Sequence, residues 1–173
     1  MATFYTEDYF RSIKRQIRLT ESREYSYAQS PTKYTAFDIF LSYNIMDQEV
    51  VLGIYYFLSK KGFKVYLDFV VDPQLKREDC DKETAELIHN RILCSKSLIY
   101  ASSFSATNSK WMPWELGVAD GKKSKCFVLP VSKDYERDFN QKEYLKLYPL
   151  IKKGVSNELT VINSFGNATE FRI

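Results

Sequence analysis

The sequence has a single histidine, His89, three cysteines, and few glycines and prolines, six and five in 173 residues. One histidine excludes multi-histidine metal sites and puts any Ser-His-Asp mechanism on a residue that reads as helical, so two large enzyme classes drop out. Cys80, Cys94 and Cys126 are odd in number and widely spaced, which argues against a disulfide framework and suits a reduced, cytoplasmic protein. Long apolar runs are missing: the longest uncharged apolar stretch, Val50 to Leu58, falls far short of a bilayer span. The opening MATFYTEDYFRSIKRQIRL lacks the apolar core of a signal peptide. Charge of one sign is also lacking. With 25 basic and 22 acidic residues, a formal charge of +3 does not supply the clustered cations that nucleic-acid binding needs.

Aromatic residues, by contrast, are abundant, with 13 Tyr and 12 Phe, and 45% of the chain is hydrophobic. That content suffices for one well-filled domain, and the sparse glycine and proline argue for regular elements joined by short loops. Residues 4–23 place Phe10, Ile13 and Ile17 on one helical face with Arg11, Lys14, Arg15 and Arg18 around it, and Thr6 is a candidate N-cap. This predicts an amphipathic N-terminal helix packed on the domain edge. YSYAQSPTKYT follows with the character of a connector, so residues 1–35 read as helix and connector and residues 36–173 as the compact domain.

From Ala36 the pattern alternates. AFDIFLSY reads as a buried strand, 47–61 as a helix stopped by Gly62, and FKVYLD as a second strand. VVDPQLKREDCDKE reads as a polar loop, TAELIHNRILCS as a helix, and SLIYASS as a third strand. TNSKWMPWELGVADGKK is then a helix and KCFVLPVS a fourth strand. ELTVIN is a fifth, after the irregular segment that ends in YPLIKKG. Apolar strands separated by helices are what a parallel sheet covered on both faces produces. The expectation is an α/β fold with a five-stranded parallel sheet. Ligands on such sheets sit beyond the carboxyl ends of the strands, which directs attention to Ser42-Tyr43-Asn44, Asp68 onward, Ser102-Ser103 and the helix starting near Lys110.

Familiar phosphate loops are absent: no GxGxxG follows the first strand and no GxxxxGK[ST] occurs. Asp72, Glu78, Asp79, Asp81 and Glu83 crowd one loop, but they lack EF-hand spacing and are interrupted by Lys76, Arg77 and Lys82, so a solvated loop is expected and no metal. WMPWELGVA is different. Glu115 is its only ionisable group, and a carboxylate in so apolar a turn carries a desolvation cost unless something specific holds it. Trp111 lies four residues earlier, on the same helical face. Two readings stand side by side: a functional carboxylate, or one paired with a neighbouring Lys or Arg while both tryptophans serve the core.

FDIFLSYNIMD resembles the first box of TIR domains, GFKVYLDFVVDP their second strand and the start of their BB loop, and SKWMPWELG their Ser-Trp-Glu helix. Together the likeness covers residues 36–162 and implies a flavodoxin-like fold. TIR domains divide into adaptors that work by assembling and enzymes that cleave NAD, and the enzymatic branch carries its glutamate four residues after a tryptophan, as Trp111 and Glu115 stand here. The resemblance therefore implies Glu115 as the catalytic residue. It implies Ser42, Tyr43, Asn44, Asp68 and Trp111 around the substrate, with NAD as substrate rather than cofactor. A carboxylate can stabilise the oxocarbenium-like ribose of such a cleavage, and Trp111 stacked on the cationic nicotinamide would contribute on the order of 1–2 kcal/mol. The likeness extends to small bacterial TIR proteins of Thoeris-type anti-phage defence, which make a cyclic or conjugated ADP-ribose signal for a separate effector. It also implies self-association through TIR–TIR contacts. The competing class is a non-catalytic adaptor or host-mimicking TIR module, and a deoxyribosyltransferase-like enzyme on a related fold is a third reading.

Overall fold

Runs such as FDIFLS, SKSLIYAS and KCFVLPVS combine aromatic and branched side chains with almost no charge, a composition that packs on both faces of a pleated sheet. In the computed structural model they are strands β2 (Phe37–Ser42), β4 (Ser95–Ser102) and β5 (Lys125–Ser132). The described residues are 3–20, 31–75, 77, 81–122, 125–133 and 142–173, with residues 18–20 described by backbone alone. Cys80, Lys76, Glu78, Asp79, most of the expected connector and the first part of the irregular segment lie outside them.

β2, β4 and β5 are joined by β3 (Val65–Tyr66) and β6 (Leu150–Lys153) into five parallel strands in the order β3-β2-β4-β5-β6. Renumbered among themselves this is 2-1-3-4-5, the flavodoxin-like winding, whose switch point lies between β2 and β4. Two corrections to the expected sheet follow. The fifth parallel strand is β6, inside the segment read as irregular, while ELTVIN forms β7 (Leu159–Ile162), which runs antiparallel to β6 and pairs with β8 (Ala168–Glu170). The N-terminus adds β1 (Tyr5–Thr6) alongside β5, so the sheet has eight strands rather than five. Short strands of mixed polarity such as LIKK carry too little periodicity to be told from a loop; pairing with β5 and β7 makes them strands.

Helices cover both faces. Helix α1 (Glu7–Thr20) starts where Thr6 Oγ1 accepts from Tyr9 N at 3.2 Å, as the candidate cap predicts. It lies on α2 (Gln48–Lys60). Tyr5 and Phe10 are fully buried in the core beneath them, together with Ile39, Leu41, Ile54, Leu58, Ile99 and Leu129. The opposite core gathers Phe40, Tyr66, Leu98, Tyr100 and Val128 under α4 (Lys82–Leu93) and α5 (Trp111–Gly121). Helix α2 ends at Gly62, whose φ of +90° lets its N–H reach Ser59 O at 2.9 Å.

The loop after β3 is only partly the solvated segment its charges suggest. It opens with a single helical turn, α3 (Asp68–Val71), and Asp72 behind it is 3% exposed. Arg91 of α4 donates to both Asp72 oxygens at 2.9 Å, and Tyr66 OH donates to Oδ2 at 3.0 Å. This buried pair fastens the end of α3 to α4. His89 stays exposed on α4, and among the described residues no cluster of His, Cys, Asp or Glu could hold a metal ion.

Helix α1 approaches α2 through Gly53, where an added Cβ would stand 2.0 Å from the carbonyl oxygen of Phe10. Gly53→Ala is expected to push α1 off this face at about 1–3 kcal/mol, a drop in melting temperature of roughly 5 °C; an unchanged melting curve would show that α1 adjusts freely. Arg91→Met strands Asp72 in the core and should cost about 3–5 kcal/mol in a denaturant titration.

Candidate functional site

Alternation along β2 decides which residues meet. Phe40 packs toward α4 and α5, Leu41 toward α1 and α2, so Ser42, two residues beyond Phe40, faces α5 at the carboxyl end of the strand. Helix α5 begins at Trp111, with Ser109 Oγ accepting from Met112 N at 3.2 Å and Pro113 in the first turn, where its missing N–H costs nothing. One turn on, Glu115 turns inward. It is 0% exposed, and Ser42 Oγ donates to its Oε2 at 2.5 Å.

The other Glu115 oxygen meets a residue that the pattern of the sequence does not single out. Arg77, read only as an interruption among the carboxylates of its loop, sends its guanidinium into the site with the side chain 8% exposed. Its Nη1 is 2.8 Å from Glu115 Oε1, an ion pair whose N–H is not well aligned on the oxygen, and its Nε pairs with Asp68 Oδ2. Tyr43 OH donates to Asp68 Oδ1 at 2.6 Å, and the Arg77 guanidinium lies 5.1 Å from the centre of the Tyr43 ring. Trp111 Nε1 donates to the Arg77 carbonyl at 3.2 Å, and Trp111 packs edge-on to Trp114. The structure thus gathers Ser42, Tyr43, Asp68 and Trp111 around Glu115 through Arg77. Asn44 is the exception: its Nδ2 donates to Ser105 O at 2.8 Å and its Oδ1 accepts from Met46 N at 2.9 Å, so it braces the loops after β2 and β4. Ser103 does similar work, donating to the buried Asp47 and accepting from Ala106 N at 3.1 Å.

Among the described residues, Asp68 and Glu115 share one buried cation, so this cluster holds one more carboxyl group than it has cations. Burial pushes the Glu115 carboxyl above the usual range; Arg77 and the Ser42 hydroxyl counter this, Asp68 reinforces it, and the balance stays upward. Burial works against the charge on Arg77, but Glu115 and Asp68 outweigh it and hold the guanidinium protonated. Tyr43 is likewise driven up by burial and by Asp68, which keeps its hydroxyl a hydrogen-bond donor. A partial signal for Arg77 did exist in the sequence: a buried Glu115 needs a counterion, and the loop after β3 is one of the places that carries cations.

No family model matches the sequence. Over 162 residues the chain is 38% identical to a protein of Bacillus cereus (strain MSX-D12) named "Probable 3' cyclic ADP-D-ribose synthase ThsB'", a match that covers 90% of this chain and 81% of that protein. It is 26% identical over 105 residues to TIR2 of Cytobacillus dafuensis, provisionally named a cyclic ADP-D-ribose synthase, covering 60% of this chain and 28% of the other. Among solved structures, a metazoan TIR-STING receptor from C. gigas aligns with 60% of this chain and 33% of its own, at 19% identity and a TM-score of 0.42, too loose a superposition to argue from.

The upward shift of Glu115 has a sign that can be measured. The folded chain holds this proton more tightly than the unfolded chain does. The stability this brings is full below the ordinary glutamate range and is lost as pH rises through the raised value. Once pH has risen past that value, the ionised Glu115 burdens the fold. Because glutamine cannot ionise, Glu115→Gln should remove this part of the pH dependence: its melting temperature should gain on that of the wild type as pH rises through the raised value and lose that gain as pH falls into the ordinary carboxylate range. A lower melting temperature in the neutral variant would mean that pairing with Arg77 outweighs burial.

Proposed function

The chain belongs to the TIR-domain family, among the Thoeris-type cyclic ADP-ribose synthases, and on that premise we propose that it cleaves the nicotinamide–ribose bond of NAD and closes the ADP-ribose on itself. The observation that carries the reading is the fully buried Glu115, which with Asp68 leaves a surplus carboxylate beside Tyr43 and Trp111, an arrangement that favours a flat cation.

The chemistry asks for little more. As the C–N bond breaks, its electron pair goes to the ring nitrogen, so nicotinamide leaves neutral and no general acid is needed. Positive charge develops on the ribose carbon and ring oxygen, where the Glu115 carboxylate, oriented by the Ser42 hydroxyl, stabilises it. A hydroxyl of the ADP-ribose then forms the new C–O bond and gives up a proton. A carboxylate whose proton affinity is raised by burial is suited to receive it. Asp68 and Tyr43 hold the far side of the site, and Trp111 supplies a stacking face. Asn44 acts through the loops it braces. The cyclic product serves as a signal to a separate effector in anti-phage immunity, from a cytoplasmic protein that self-associates through TIR–TIR contacts.

The deciding experiment is nicotinamide release from NAD by the wild type and Glu115→Gln proteins, at dilute and crowded concentrations, with products resolved by mass. The wild type should release nicotinamide and a product of the mass of cyclic ADP-ribose, while the variant loses at least about 100-fold in rate. Silence from the wild type under every condition would shift the function to a non-catalytic interaction module.

A further inference from the structure

We infer that Arg77 is an internal occupant of the substrate's cation place, a built-in competitor that the nicotinamide ring must displace before Glu115 can act. The inference rests on the NAD-cleaving reading for the identity of the displaced ligand, and on this chain's geometry for everything else. Glu115 is 0% exposed, and Arg77 is among the groups that close it off. A guanidinium is flat, delocalised and singly charged, as is an oxidised nicotinamide ring. It lies over the face of Tyr43, spans the two carboxylates, and through its carbonyl holds the Nε1 hydrogen of Trp111, so one residue engages each aromatic and acidic group that a cationic ring would use.

The fit is good enough to close the site and poor enough to be exchanged. Among the described residues Arg77 Nη2 is buried without a hydrogen-bond partner, and Nη1 meets Glu115 out of line. Exchanging one monocation for another leaves the charge of the buried cluster unchanged, so the substrate's cation can replace Arg77 without adding a second uncompensated carboxylate. A reduced, uncharged nicotinamide cannot make that exchange, and the site therefore selects the oxidised dinucleotide. A residue that stayed in place to orient Glu115 would look the same at rest but would behave oppositely on removal.

Steady-state kinetics of nicotinamide release separates the two. Arg77→Gln and Arg77→Met should lower KM for NAD about tenfold, as expected when a closed state holding about 90% of the molecules is removed, with kcat unchanged or raised, and Arg77→Lys should fall between. A lower kcat with KM unchanged or higher would make Arg77 a positioning residue and overturn the inference. Should the uncharged variants fail to fold, the wild type itself decides through phenylglyoxal labelling of arginine read by mass spectrometry. Arg77 should be protected alone and become reactive on adding NAD or N1-methylnicotinamide, whereas protection that persists or deepens refutes displacement. Labelling needs no turnover, so the two readings fail separately. Exposure by N1-methylnicotinamide without any nicotinamide release would sink the NAD-cleaving function alone, and turnover with Arg77 still protected would sink this inference alone.

Discussion

Two buried carboxylates sharing one arginine is the interaction on which the rest of this structure depends. Asp68 and Glu115 come from opposite ends of the domain's central stretch, one opening a single helical turn after β3 and the other in the second turn of α5, and Arg77 joins them. Burial alone would force a lone carboxylate to take up a proton, and one cation cannot neutralise two acids. The cluster is thus held with charge to spare. Such an arrangement weakens a fold, and its persistence beside two aromatic rings is what a site for a positive ligand requires.

The scaffold is organised to hold that tension in place. The winding of the parallel strands puts its switch point between β2 and β4, and the alternation of β2 sends Ser42 to the α5 side while Tyr43 follows Leu41 to the other. A second buried pair, Asp72 with Arg91, fastens the far end of α3, so Asp68 is fixed from behind by a fully satisfied contact. The difference between the pairs is telling. Arg91 donates to both oxygens of one carboxylate; Arg77 divides itself between two and, among the described residues, leaves one nitrogen unpaired. The first has the geometry of a fastener and the second that of a group that can be exchanged.

What could be read in advance follows the range of the forces involved. Strand and helix alternation from Ala36, the cap at Thr6, the stop at Gly62 and the isolation of Glu115 among apolar neighbours are local patterns, and the sequence by itself determined them. The eight-stranded count, the strand β6 and the direction of β7 were not legible, because short strands of mixed polarity take their state from the partner they pair with. The close seat of α1 on Gly53 belongs with them, since it depends on the carbonyl of Phe10 more than forty residues away in sequence.

The candidate site divides along the same line. Trp111 and Glu115 share a helical face by spacing alone, and Ser42 and Tyr43 end a strand by pattern, so the sequence determined that these residues would lie toward the carboxyl ends of the strands. It could not determine that Asn44 turns away to brace two loops, or that Asp72 leaves its charged neighbours for Arg91. Above all it could not place Arg77 against Glu115, thirty-eight residues apart, because a counterion is chosen by proximity in three dimensions and by the cost of leaving a carboxylate alone in a low dielectric.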